Sequence, residues 1–124
     1  MDISALAQDD YTVDVPFMED AFVTLRYVSR EELLAVYRKA RTVFIDQDRR
    51  KAEEYDPIQA DVLLGRAAVR GWRGITMKGR DYPYSPENCD FLMRKWHAFA
   101  KFVSGKCADI QALVRRERDE TVKN

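Results

Sequence analysis

Three helix-start signals punctuate this chain at nearly even spacing, and they limit its possible folds more than any other feature. Ser29-Arg30-Glu31-Glu32 is a capping box, in which Ser29 can accept from the third helical N–H and Glu32 can reach back. Asp56-Pro57 places an acid at the N-cap and a proline at the first helical position, where a missing N–H costs nothing. Ser85-Pro86-Glu87-Asn88 repeats that pattern and adds an acid in the first turn. Apolar residues follow each signal at spacings of three and four. The first helix carries Leu33, Val36, Tyr37, Ala40, Val43 and Phe44 and is expected to end near Ile45. The second carries Ile58, Val62, Leu63 and Val69, with Gly71 where a left-handed C-terminal residue is wanted. The third has one stripe from Cys89 through Leu92, Met93, Trp96, Phe99 and Ala100 to Val103, and a second of Phe91, Ala98 and Phe102. Gly105 ends or kinks it. A last helix over 107–118 turns Ile110, Leu113 and Val114 inward and Arg115, Arg116 and Arg118 outward.

The expected fold class is therefore mainly α: a small helical domain of three to five helices with a short N-terminal β-strand or hairpin element. The strand is Phe22–Val28, where Val23, Leu25 and Tyr27 alternate with Thr24 and Arg26. Its backbone needs a partner, either the 75–84 segment or a strand of another chain. Met77 to Tyr84 reads as a tight turn between two short extended pieces, and Asp46 to Asp56 as an exposed loop or solvated helical turn. Residues 1–20 read as a flexible acidic arm, 21–118 as one mainly helical domain and 119–124 as a frayed tail.

The whole chain is 124 residues, enough for one core. Hydrophobic residues at 46 % and charged residues at 34 % exclude disordered and membrane-spanning classes, and the longest run of Val, Ile and Leu alone is only Val62-Leu63-Leu64. An acidic N-terminus lacks the basic start of a signal peptide, and the two cysteines suit a reducing compartment. A cytoplasmic protein is expected. The net charge is zero, yet residues 1–61 hold 14 acids and 8 bases while residues 62–124 hold 7 acids and 13 bases. Such a chain can satisfy itself or a neighbouring copy head to tail, and self-association is expected.

The residues offer little for catalysis, and no enzyme activity, cofactor or metal is expected. His97 is the only histidine, so no nucleophile–histidine constellation can be chosen around it. Cys89 and Cys107 lack the CxxC spacing of a zinc site, and neither GxGxxG nor GxxxxGKS/T occurs. Asp46-Gln47-Asp48 opens like a calcium loop but continues into Arg49, Arg50 and Lys51, which defeats it. Five bases without an intervening acid (Arg66, Arg70, Arg73, Lys78 and Arg80), beside Trp72, Tyr82 and Tyr84, form the strongest feature for an alternative function in nucleic-acid binding or regulation.

Three segments in order, FVTLRYVSREEL, VRGWRGI and GRDYPYSPENCDFLM, carry a resemblance over approximately residues 21–105. The chain resembles the tail assembly chaperones of long non-contractile-tailed phages and prophages. That resemblance implies a non-enzymatic protein of the bacterial host cytoplasm. Its partners would be the hydrophobic tape measure protein, kept soluble while the tail tube assembles, and the major tail protein. It also implies two product lengths made by frameshifting, of which this chain would be the shorter. The matching positions, Gly71, Trp72, Tyr84, Ser85, Glu87 and Asn88, read as architectural. A holdase needs apolar surface for its client. The expected partner-binding residues are Phe91, Ala98 and Phe102 on the third helix, and Val23, Leu25 and Tyr27 on the strand.

Overall fold

The computed structural model describes the backbone of residues 11–122 and the side chains of residues 11–113. Residues 1–10 of the expected arm, and the side chains of Val114, Arg115, Arg116 and Arg118, lie outside the described residues.

The fold is mixed α/β, which corrects the expectation of a mainly helical domain. Among the described residues there are four helices and seven strands in three small sheets. The largest sheet has the order β1 (Thr12–Phe17), β2 (Ala21–Arg26), β5 (Val69–Arg73), all antiparallel. Thus β2 pairs on both sides within the chain, and neither side is the 75–84 segment. Val13, Val15 and Phe17 of β1 face Leu25, Val23 and Ala21 of β2 across the register, and this face meets the helices. The opposite face is polar: Asp14 accepts from Thr24 Oγ1 and lies 3.5 Å from Arg73, whose guanidinium covers the Phe22 ring at 4.4 Å. The Thr24 hydrogen bond leads in holding the Asp14 carboxyl below the ordinary aspartate range.

The second half of the expected arm is therefore β1 and its turn. Pro16 is compatible with a strand here because β1 is an edge. The Tyr27 N–H to Tyr11 C=O bond marks the hydrogen-bonded positions as 11, 13, 15 and 17, so the Pro16 nitrogen points outward, where no donor is needed.

Helix α1 (Arg30–Lys39) begins at Ser29, which accepts from the Glu32 N–H at 3.2 Å. It stops at Ala40 rather than near Ile45. The residues beyond form β3 (Arg41–Ile45), a turn, and β4 (Lys51–Tyr55), so the expected charged loop is half of a hairpin. Val43 and Phe44, placed by periodicity on a buried helix face, are exposed strand residues at 58 % and 43 %. Helix α2 (Pro57–Ala68), capped by Asp56, is the central helix, packing on α1, α3 and α4. It ends before Val69, and Gly71 lies within β5 without a left-handed conformation, contrary to its expected role as helix terminator. At Gly65 an added Cβ would stand 2.7 Å from Met93 Cγ, so glycine sets the close approach of α2 to α3.

The turn expected in 77–84 is present as β6 (Thr76–Met77) and β7 (Arg80–Asp81), joined by Lys78 and Gly79, both at positive φ. Helix α3 (Pro86–Lys95) starts at Ser85 as expected but breaks at Trp96, which is extended (φ −115°, ψ 94°). Helix α4 (His97–Val122) then runs through Gly105 without interruption and into the segment expected to fray. The core is built from Val23 and Leu25 of β2, Val62 of α2, Val69 of β5 and Phe99 and Val103 of α4, all fully buried.

Candidate interaction surfaces

Cys89 and Cys107 are free and buried, and burial chiefly pushes their thiols up to about 12 and about 11. At neutral pH both stay protonated and unreactive. Burial also raises the Asp61 carboxyl, with His97 acting in the opposite sense, but neither lines a described cavity. Among the described residues no group of three or more His, Cys, Asp or Glu could hold a metal, and no helix is long and apolar enough to cross a membrane.

The residues shared with the resemblance fasten the β6–β7 hairpin and the start of α3 to the core. Trp72 Nε1 donates to the Tyr82 carbonyl at 2.7 Å, and its ring meets Tyr84 and Phe99 edge-on at 5.1 and 5.7 Å. The Tyr84 hydroxyl donates to the Val69 carbonyl at 3.2 Å. Ser85 Oγ accepts from the Asn88 N–H at 3.0 Å, while the Asn88 side-chain amide donates to the Pro83 carbonyl at 2.8 Å. Glu87 is exposed in the first turn of α3, where a carboxylate opposes the positive helix end.

The six expected partner-binding residues do not form one surface. Val23 and Leu25 are fully buried and present nothing to a partner, and Tyr27 is half-buried against the core. Phe91 is 43 % exposed with its ring edge toward Tyr82 at 6.5 Å. Ala98 is exposed one turn before Phe102 on α4, and Phe102 is half-buried on Phe17 at 4.7 Å between centroids.

Phe17 leads to a feature that periodicity could not reveal. An open cleft of about 610 Å³ lies between the β1–β2 turn, the 74–76 segment and the break before α4. Phe17, Ile75 and Trp96 give it apolar walls, Met18 stands at its rim 64 % exposed, and Glu19 and Asp20 supply acid beside them. Met18 has φ 55°, a conformation that a long side chain rarely adopts. Gly74 shapes the opposite wall: at φ +83° an added Cβ would stand 2.2 Å from the Asp20 carbonyl oxygen. The sequence signal was the Met-Glu-Asp turn, hidden inside a segment that looks like an arm.

The β3–β4 hairpin also exposes apolar side chains, Val43 and Ile45 on one face and Phe44 on the other. The Tyr37 and Tyr55 rings approach to 6.4 Å beside it. The basic cluster is more occupied than its sequence suggests. Asp90 holds Arg66 with hydrogen bonds of 3.1, 3.2 and 2.8 Å, Arg70 donates to the Arg66 and Val69 carbonyls, and Arg73 faces Asp14.

The sequence profile of the YdaY prophage protein family matches residues 28–124. The chain belongs to that family. The YdaY match covers everything from α1 onward, including the hairpin and Trp96, and leaves β1 and β2 before it. A prophage origin agrees with the broader part of the resemblance drawn from the sequence. No curated protein and no solved structure matches the chain.

Proposed function

We propose that this prophage protein is a tail assembly chaperone, which binds the tape measure protein in the bacterial cytoplasm and keeps it soluble until the tail tube assembles. The observation that carries this reading is the open cleft walled by Phe17, Ile75 and Trp96 with exposed Met18 at its rim. A tape measure protein is long, helical and apolar, and a holdase must accept successive apolar side chains without demanding one sequence. Methionine is suited to that task because its flexible, polarizable side chain repacks around different partners. The Ala98–Phe102 face of α4 adjoins the cleft through Phe17 and extends the apolar path. The three sequence segments that resemble tail assembly chaperones give independent support. A role on nucleic acid is less favoured, because Asp90 and Asp14 already neutralise Arg66 and Arg73 and would compete with phosphate.

The test is co-expression with the long helix-rich protein encoded downstream, scoring how much of it stays soluble and co-purifies. Wild type should rescue it. Met18→Asn, which keeps the left-handed turn comfortable while removing the apolar rim, should lower recovery with the fold intact. Equal solubility of the client with and without this protein would contradict the reading.

A further inference from the structure

We infer that the outer edge of β3 pairs with β3 of a second copy, antiparallel about Val43, to make a four-stranded sheet across a two-fold axis. This rests on the hairpin alone and is independent of the client proposed above.

The hairpin is incomplete as it stands. It has two strands of five residues, every β3 residue is exposed, and a hairpin of this size is marginal in water without further strands. Its hydrogen-bond phase identifies what each edge presents. The Asp46 N–H donates to the Arg50 carbonyl and the Asp56 N–H to the Ala40 carbonyl, so positions 40, 42, 44 and 46 of the first strand point their backbone groups at the second. Arg41, Val43 and Ile45 therefore turn their N–H and C=O groups outward from β3. By the same alternation Lys51, Glu53 and Tyr55 turn theirs outward from β4.

Charge chooses between the two edges. Pairing β4 with its copy about Glu53 would set Glu53 directly against Glu53, a like-charge pair that guards that edge. Pairing β3 about Val43 sets Val43 against Val43, Arg41 against Ile45 and Thr42 against Phe44, with no acid on either strand. One face of the new sheet would then carry the Val43 and Ile45 side chains of both copies side by side. The contact is isologous and closes at two copies, in contrast to the head-to-tail order suggested by the charge gradient.

Cross-linking of the full chain tests this, because the native cysteines are buried and leave an introduced thiol to report. Residues facing each other in a hydrogen-bonded antiparallel pair have Cα atoms about 5.5 Å apart, within disulfide range. Under mild oxidation Val43→Cys should give a covalent dimer and Glu53→Cys should not. By light scattering at high micromolar concentration the wild type should weigh twice 14.5 kDa, and Val43→Lys should return to the single-chain mass and melt where dilute, monomeric wild type melts. A monomeric wild type, cross-linking through position 53 rather than 43, or a Val43→Lys dimer would each overturn the inference.

Discussion

β2 and β3 are both short apolar strands, AFVTLR and RTVFI, yet they have opposite fates. β2 is flanked by β1 and β5, and Val23 and Leu25 disappear into the core. β3 has a single partner, and Val43 and Ile45 remain 58 % and 74 % exposed. The difference lies in what covers each strand rather than in composition. Helices α2 and α4 supply Val62, Phe99 and Val103 to the covered face of the first sheet, whereas every β3 residue is exposed and the hairpin meets the body along α1, where Tyr37 approaches Tyr55. Hydrophobicity in one strand holds the fold together; in the other it is available for recognition.

Substitutions can sharpen this contrast. Leu25→Ala should have the largest effect, about 2–5 kcal/mol of stability by urea denaturation, since it removes a fully buried side chain and leaves a cavity. Gly74→Ala should follow at about 1–3 kcal/mol, because positive φ and the Asp20 carbonyl both oppose a Cβ. Recovery of wild-type stability in that variant would show that the β1–β2 turn can move away from the cleft wall.

Glu32→Gln should cost about 1 kcal/mol, a charged hydrogen bond discounted for the partial exposure of Glu32. Arg26, buried at the end of β2, pairs with Glu32 and also donates to the Ala67 and Tyr27 carbonyls, tying the sheet to α1 and α2. The Arg26 hydrogen bond is the main reason the Glu32 carboxyl lies below the ordinary glutamate range. A lowered folded pKa gives stability that is fully present above the unfolded value and lost as pH falls through the folded one. The gap between wild type and Glu32→Gln should therefore be widest near neutrality and close in acid, measured by denaturation across pH. Val43→Ala should change the stability of the single chain least, by under about 0.5 kcal/mol, because its side chain is already exposed.

The parts legible in the sequence were those with local chemistry. Ser29, Asp56-Pro57 and Ser85-Pro86 each cap a helix, β2 alternates as a strand should, and Lys78-Gly79 makes the turn. What escaped was decided by tertiary contact. Nothing at Ala40 signals a helix end, so the spacing of Val43 and Phe44 continued a helical pattern by coincidence. β1 looked unstructured because Asp14 and Pro16 occupy its outward face, where an edge strand tolerates both. The break at Trp96 has neither glycine nor proline; there the chain turns extended while the indole packs on Phe17 and Phe99 at 5.2 and 6.1 Å. The same break forms one wall of the cleft, so the proposed client site was hidden together with the part of the fold that builds it.

Amide hydrogen exchange, compared between dilute and concentrated protein, measures the contrast between the two strands most directly. The β2 amides should be protected at both concentrations. The outward-facing Val43 and Ile45 amides of β3 should exchange rapidly when dilute and become protected on concentration, while the inward-facing Phe44 amide changes less. Val43 and Ile45 amides that are protected at every concentration, or at none, would contradict the account of β3 as an open edge completed by a second copy.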